Sequence, residues 1–116
     1  AKVAAGEPVP RSMGHANLIW KGDAHAPTLR ALRHAAPDCP ILNVTGPETV
    51  SIRWLAERFA ERLDRPVQFA GEERPDALLS NAARAFATFG YPRVPLARMI
   101  DWVADWVVRG GRALGR

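Results

Sequence analysis

One stretch of the sequence, from Ser51 to Leu63, constrains the fold more than any other. Ser51 is a preferred helix N-cap residue, because its hydroxyl can accept a hydrogen bond from a free backbone amide of the first turn. Behind it the apolar residues recur every three or four positions, at Ile52, Leu55, Ala56, Phe59, Ala60 and Leu63. This spacing predicts an amphipathic helix with one continuous apolar face. The rest of the chain must therefore supply a core against which that face packs.

Shorter segments on both sides of this helix predict further elements. We expect the last turn of a helix at residues 1–6, and further helices from Asp23 as the cap to Ala36, from Asn81 as the cap to Phe89, and from Leu96 to Val108. We expect short strands at Leu18–Trp20, Ile41–Val44 and Val67–Ala70. The branched apolar residues of Ile41–Val44 indicate burial on both faces. The pattern predicts one small mixed α/β (α+β) domain over residues 1–116, with four to five helices and three to four short strands.

The turn between the predicted strand Ile41–Val44 and the long helix is a candidate ligand site. Thr45, Gly46, Pro47 and Glu48 follow the carboxyl end of that strand, the edge at which open α/β sheets bind ligands. A phosphate cradle is excluded, because only one glycine is present and Pro47 has no backbone N–H to donate. A Gly-Pro pair also suits any sharp strand-to-helix turn, so scaffold and ligand wall both remain open.

Composition excludes several classes of partner. The formal net charge is +4, and the 14 arginines are scattered among acidic residues along the predicted helices. Only the tail VVRGGRALGR is locally basic, and it has no aromatic residue for base stacking, so no nucleic-acid partner is expected. No apolar run is long enough to cross a membrane. Cys39 is the only cysteine, which excludes an internal disulfide and favours a cytoplasmic location.

The sequence carries no recognisable catalytic motif. There is no glycine-rich phosphate loop, no nucleophile elbow and no paired cysteine or HExxH motif. The histidines and Cys39 lack metal-ligand spacing. We therefore predict no catalytic residue and no metal site in this chain.

Three segments, taken in order, nevertheless resemble a known family. They are WKGDAHAPTLRAL, ILNVTGPETVSIRWLAERFAERLDRPVQF and LLSNAARAFATFGYPRVPLARMIDWVADWV. Together they resemble the C-terminal portion of NAD-dependent epimerase/dehydratase proteins, the extended short-chain dehydrogenase/reductase family. Asp23 matches the Asp that opens a helix there, Ser51–Pro66 the following helix, and Asn81 the next cap. Each motif is weak alone, and the specificity lies in their order and spacing.

The resemblance implies a part of a larger enzyme. The family's N-terminal Rossmann half carries a glycine-rich dinucleotide loop and a Tyr-x-x-x-Lys pair, whereas Tyr91 is the sole tyrosine here and no Lys follows it. The parent would use NAD or NADP to oxidise, reduce or epimerise a hydroxyl-bearing small molecule, such as a sugar derivative. This chain, which starts as if in mid-helix, would supply the substrate-binding part without cofactor binding or turnover of its own. Nucleotide-sugar members place an Arg in the strand before the helix-opening Asp, and HANLIWKGD has none.

The resemblance also implies site residues and partners. The candidate substrate-binding residues are Trp20, Thr45, Gly46, Pro47, Glu48 and Arg74. For Trp20 the alternative is packing under a helix, and for Arg74 it is a solvated loop. The expected partners are the small-molecule substrate, the parent's own Rossmann domain and further copies of the chain, since an apolar face left bare tends to associate. A different class of function stays open: a free-standing interaction module that uses its apolar helix faces and basic tail.

Overall fold

The computed structural model describes residues 1–38 and 40–112. Cys39 and the last four residues of the predicted basic tail lie outside the described residues. The helices within them are α1 Lys2–Ala5, α2 Lys21–Ala31 with a 3-10 turn at Leu32–His34, α3 Ile52–Leu63, α4 Ala83–Phe89 and α5 Leu96–Val108. The strands are β1 Val9–Pro10, β2 His15–Asn17, β3 Thr49–Ser51, β4 Phe69–Ala70 and β5 Ala77–Leu78. The predicted α/β class with four to five helices is confirmed, while the described part contains five very short strands instead of three to four.

Strand β2 organises the larger of two small sheets. It lies between β3, which runs antiparallel to it with Ala16 opposite Val50, and β5, which runs parallel with Ala16 opposite Leu78. Both Ala16 and Val50 are buried. The second sheet is the parallel pair β1–β4. Because β3 leads directly into α3, the β2–β3 pairing fixes where that helix begins.

The helix predicted from the apolar stripe is confirmed as α3. The Ser51 hydroxyl accepts a hydrogen bond from the Trp54 amide at 3.3 Å, as expected of an N-cap. Asp64 ends the helix in the left-handed conformation, with φ of 49°. Helix α3 packs against α1 and α5, and an ion pair of 2.7 Å joins Arg62 to Asp101 of α5. This packing places α3 at the centre of a three-helix layer.

The core of the described residues is built mainly from small side chains. The buried apolar residues of the described chain are Val3, Ala16, Val50, Ala56, Ala82, Ala85, Ile100 and Ala104. Five of these eight are alanine. Alanines allow backbones to approach closely, but each one removes little apolar area from water. Apart from Val3, Val50 and Ile100, the larger apolar residues described are half-buried or exposed, so the core is thin.

The predicted strand at Leu18–Trp20 and the predicted cap at Asp23 are wrong. The strand lies three residues earlier, at His15–Asn17, where β3 and β5 are available as partners. Helix α2 already begins at Lys21, and the residue before it, Trp20, has extended backbone geometry. The Asp23 carboxylate instead accepts a hydrogen bond from the Val94 amide at 2.7 Å. The Asp23 side chain therefore bonds a residue 71 positions away instead of capping its own helix.

The predicted strand at Ile41–Val44 is also wrong. The strand before α3 is Thr49–Ser51, on the other side of the Gly-Pro turn. Within residues 40–48 no strand is present, and the Ile41 side chain is 82% exposed, so the expected burial on both faces is wrong as well. A strand requires a neighbour for its backbone hydrogen bonds, and in the described chain β2 pairs with Thr49–Ser51 instead. Asn81 precedes α4 as predicted, yet its side chain accepts from the Ala83 amide at 2.9 Å and Ala82 holds the cap position.

Candidate functional site

The Gly-Pro turn lies against the end of the central strand. Gly46 is buried, and a Cβ atom at this position would collide with the backbone carbonyl of Leu18. Only glycine permits two backbones to approach so closely. Pro47 and Glu48 are exposed on the outer side of the turn. Gly46 therefore has a packing reason that is independent of any ligand.

Asn17, the last residue of β2, holds two loops together. Its Nδ2 donates to the Glu48 carbonyl at 2.9 Å, and its Oδ1 accepts from the Ser80 amide at 2.8 Å. These partners are 31 and 63 positions away in sequence, on the turn before β3 and on the segment before α4. One half-buried amide thus fixes the spacing between two loops. A second amide contact, from Asn43 Nδ2 to the Asn81 carbonyl at 3.2 Å, lies beside it.

A cavity of about 340 Å³ lies between the two loops that Asn17 joins. Its polar lining residues are all uncharged: Asn17, Thr49, Ser80 and Asn81. Gly46, Pro47, Leu79 and Phe86 contribute apolar lining. Amides and hydroxyls can both donate and accept hydrogen bonds, which suits a neutral ligand rich in hydroxyl groups. We call this space the amide cavity.

The structure separates the predicted site residues instead of bringing them together. Gly46 and Pro47 line the amide cavity, and the Glu48 carbonyl is bonded by Asn17. Thr45 lines a different cavity, of about 310 Å³, together with charged residues that include Asp23 and Arg93. Trp20 and Arg74 lie at two further places.

Trp20 packs against the last helix. Its ring lies 5.0 Å from that of Trp102, centroid to centroid, at an interplanar angle of 65°. This edge-to-face contact corresponds to the packing alternative for Trp20. Arg74 is exposed in the loop before β5, and its amide donates to the Arg11 carbonyl at 3.4 Å.

Asn17, Ser80 and Asn81 were not among the predicted site residues. Asn17 could have been noticed as an amide directly before the apolar run Leu18–Trp20. Nothing local indicates its role, however, because both of its hydrogen bonds cross long stretches of chain.

The strongest electrostatic pair near β2 joins Arg53 of α3 to Glu73. Arg53 Nη2 donates to Glu73 Oε2 at 2.5 Å. This hydrogen bond and the charge of Arg53 lower the pKa of Glu73, and the same contact raises the pKa of Arg53. Both groups are solvent-exposed, so the pair is screened. Its neighbourhood shows no feature of a catalytic acid or base.

Residues 1–38 and 40–112 show neither a metal-binding cluster nor a membrane-spanning helix. No group of three or more His, Cys, Asp or Glu side chains is arranged to hold a metal ion there. None of the helices in that part of the chain is long and apolar enough to cross a membrane.

Comparison with known proteins gives a result at the level of the fold. No protein-family model matches the sequence, and no curated protein is significantly similar to it. Among solved structures, UDP-glucuronic acid 4-epimerase from Bacillus cereus in complex with NAD matches 97% of the chain, with a TM-score of 0.70 and 16% identity. The Bordetella bronchiseptica enzyme WbmH in complex with NAD+ matches 94%, with a TM-score of 0.64 and 19% identity. The chain spans 38% of the length of each enzyme. It therefore has the fold of a part of NAD-dependent epimerase-like enzymes, and the resemblance predicted from its motifs is confirmed for the fold.

Proposed function

We propose that this chain is the substrate-binding part of an NAD(P)-dependent epimerase/dehydratase-like oxidoreductase. The parent enzyme would act on a hydroxyl-bearing small molecule, such as a sugar derivative, and its cofactor and catalytic residues would lie in a separate Rossmann half. The observation that carries the proposal is the fold match over nearly the whole chain to enzymes solved with NAD. That match accounts for about two fifths of each enzyme's length, in keeping with a partial role.

The amide cavity supports a neutral substrate over a diphosphate. A diphosphate is typically held by guanidinium groups or by several backbone amides at a helix N-terminus. No charged residue lines the amide cavity, and Pro47 removes one backbone donor at its edge. The start of α4 also lines it, but the Ala83 amide there is already bonded to the Asn81 side chain. Asn17, Thr49, Ser80 and Asn81 offer the mixed donors and acceptors that sugar hydroxyls require. We therefore place the substrate between the Gly46 turn and the segment before α4.

The opposite side of α2 supports docking of a cofactor half. Leu29 and Leu32 are exposed there, and Ile41 is exposed on the extended segment before the turn, where it lines a cavity together with Ala31 at the end of α2. This cavity of about 500 Å³ separates this segment from α4, with His34, Leu42 and Phe89 among its lining residues. Exposed apolar residues that cluster in this way mark interaction surfaces. We call this surface the α2 face and assign it to the Rossmann half.

The test uses the full open reading frame that contains this sequence. The purified product, incubated with NAD or NADP and a panel of free sugars, polyols and UDP-sugars, is followed by the absorbance of the reduced cofactor. We expect turnover of a neutral hydroxyl compound, and none from the 116-residue chain alone. A reading frame that begins at Ala1 after a stop codon, or a full-length product that binds neither cofactor, would contradict the proposal.

Variants of the amide cavity then locate the substrate. Asn17→Ala removes the clamp between the two loops, so we expect the KM for the substrate to rise about tenfold while the KM for the cofactor is unchanged. Asn43→Ala, which removes the neighbouring amide contact outside the cavity, is the matched control and should change the substrate KM by less than about twofold.

A variant of the α2 face distinguishes docking of the Rossmann half from self-association and from the alternative interaction module. Leu32→Glu places a charge on the face without touching the described core. If the face binds the Rossmann half, a separately produced Rossmann half will associate with the wild-type chain and will not associate with the variant. If sedimentation instead shows the isolated wild-type chain forming dimers that the variant lacks, the face also serves the predicted homo-oligomer. Association with neither would remove the partner assignment.

A further inference from the structure

A fourth cavity, of about 570 Å³, lies on α5 and is independent of the proposed oxidoreductase function. Three tryptophans surround it, Trp20, Trp102 and Trp106, with Val103 and Asp105 completing the lining. Trp102 and Trp106 are 42% and 54% exposed. Such a concentration of open indole rings is unusual in a chain that has only four tryptophans.

The indole walls are held in place. Trp20 and Trp102 meet edge to face, so two rings stand nearly perpendicular to each other. Trp106 Nε1 donates to the Arg112 carbonyl at 3.3 Å, and the Gly111 amide donates back to the Trp106 carbonyl at 2.8 Å. A Cβ atom on Gly111 would collide with the Trp106 ring, so the chain folds back closely over one side of that indole. The cavity is therefore formed by fixed rings and not by loose surface side chains.

The chemistry of the lining selects among ligand classes. Indole faces carry negative electrostatic potential, and Asp105 adds a negative charge at the rim. An anion would be repelled. A neutral sugar would need several hydrogen-bonding groups, and Asp105 is the one lining side chain that is neither aromatic nor aliphatic. A cation with an apolar surface satisfies both the rings and the carboxylate.

The same kind of contact already occurs inside this molecule. The Arg58 guanidinium lies 5.6 Å from the centre of the Trp54 ring, and Arg30 and Arg53 lie similarly over Phe89 and Phe69. At the cavity rim Arg109 Nε donates to Asp105 Oδ1 at 2.9 Å. This pair is exposed, so it neutralises the carboxylate only in part.

We propose that the cavity formed by Trp20, Trp102, Trp106 and Asp105 binds an alkylammonium cation. The group recognised is a positive charge spread over methyl or methylene groups, as in the trimethylammonium end of choline. Cation–π attraction to the indoles and the charge of Asp105 hold it, without a covalent step.

The test compares choline with 3,3-dimethylbutan-1-ol, its neutral isostere of almost the same shape, by NMR titration of the four indole N–H signals. Choline should bind saturably, and the isostere about tenfold more weakly, because only the charge differs. The signals of Trp20, Trp102 and Trp106 should move, while that of Trp54 on α3 serves as an internal reference and should not. Equal binding of the isostere, or an equal shift at Trp54, would overturn the proposal.

Two variants sharpen the result. Asp105→Asn should weaken choline binding several-fold, and Arg109→Ala should strengthen it by about twofold because the competing cation is removed. The isostere should respond to neither variant. If both variants leave choline binding unchanged, the carboxylate has no role and the proposal fails. Trimethyllysine amide, measured in parallel, tells whether the site prefers a small-molecule head group or a protein side chain, and saturable binding of either supports it.

Discussion

The three-helix layer of α1, α3 and α5 and the α2 face are two regions of one short chain whose apolar residues pack in opposite ways. In the first, Ala56, Ile100 and Ala104 are buried and an ion pair joins α3 to α5. In the second, Leu29, Leu32 and Ile41 remain in water. The layer buries its three residues within the chain, although α5 also exposes Trp102, Trp106 and Val108, whereas the described chain offers no complement for the α2 face. An apolar surface that the fold does not cover is best explained by something that covers it.

The largest expected effect is on the free energy of unfolding, and it is seen by substituting one apolar residue in each region. Ile100→Ala should lower the free energy of unfolding by about 3 kcal/mol, because Ile100 is 5% exposed and its removal leaves a cavity. Leu32→Ala removes a similar side chain that is 72% exposed, so we expect a loss below about 0.5 kcal/mol. Urea unfolding of the two variants measures both values. Equal losses would mean that the α2 face is packed in the isolated chain, and the comparison would fail.

The second effect concerns the turn that lies between the two regions. Gly46→Ala should cost about 2 kcal/mol, because the added methyl group meets the Leu18 carbonyl and the turn must move. The control is Glu48→Ala, which shortens an exposed side chain of the same turn and leaves the backbone carbonyl bonded by Asn17 in place. Thermal unfolding of both variants tests this. A stable Gly46→Ala protein would show that the turn can shift away from β2.

The third effect concerns the N-cap of α3, the central helix of the three-helix layer. Ser51→Ala removes the hydroxyl that accepts from the Trp54 amide, and should lower the unfolding free energy by about 1 kcal/mol. Ser12→Ala, at an exposed bend outside the helices, is the matched control and should change it little. If Ser51→Ala loses no more stability than Ser12→Ala, α3 is held by its apolar face alone.

The smallest effect is a pH dependence on the packed side of the molecule. The bond from Arg53 lowers the pKa of Glu73 below its ordinary value of 4.5, so the folded state holds this proton less tightly than the unfolded state. The stabilisation is present above the unfolded pKa and is lost as the pH falls through the lowered folded pKa. Unfolding midpoints measured across the acid range should show a small decline that Glu73→Gln abolishes. An unchanged pH profile in that variant would assign the decline to other carboxylates.

Sequence reasoning succeeded where structure is decided locally. Ser51 and the apolar stripe behind it were enough to predict α3, and α5 was predicted with the bounds that the structure shows. Two of the three predicted strands failed for the opposite reason, since the position of β2 depends on β3 and β5 being available, whereas the predicted strand Val67–Ala70 overlaps β4 at Phe69–Ala70. Ile41–Val44 has the composition of a buried strand and lacks a neighbour in the described chain.

The residues of the candidate site show the same contrast between local patterns and distant contacts. Gly46 and Pro47 could be predicted because glycine and proline indicate a turn, and both line the amide cavity. Asn17 and Ser80 were missed because the bond that joins them spans 63 positions. No local pattern of residues reports a contact of that range, so only the folded chain reveals it.

The alanine-rich core has a thermodynamic consequence. Unfolding exposes apolar surface, and that exposure sets the heat-capacity increment, typically about 12–15 cal/mol/K per residue. Because five of the eight buried apolar residues are alanine, this chain should fall below that range in isolation. Its stability curve would then be flat, with a broad melt and a low sensitivity to urea. Covering the α2 face would add apolar area and sharpen the transition, so calorimetry can report docking before any substrate is known.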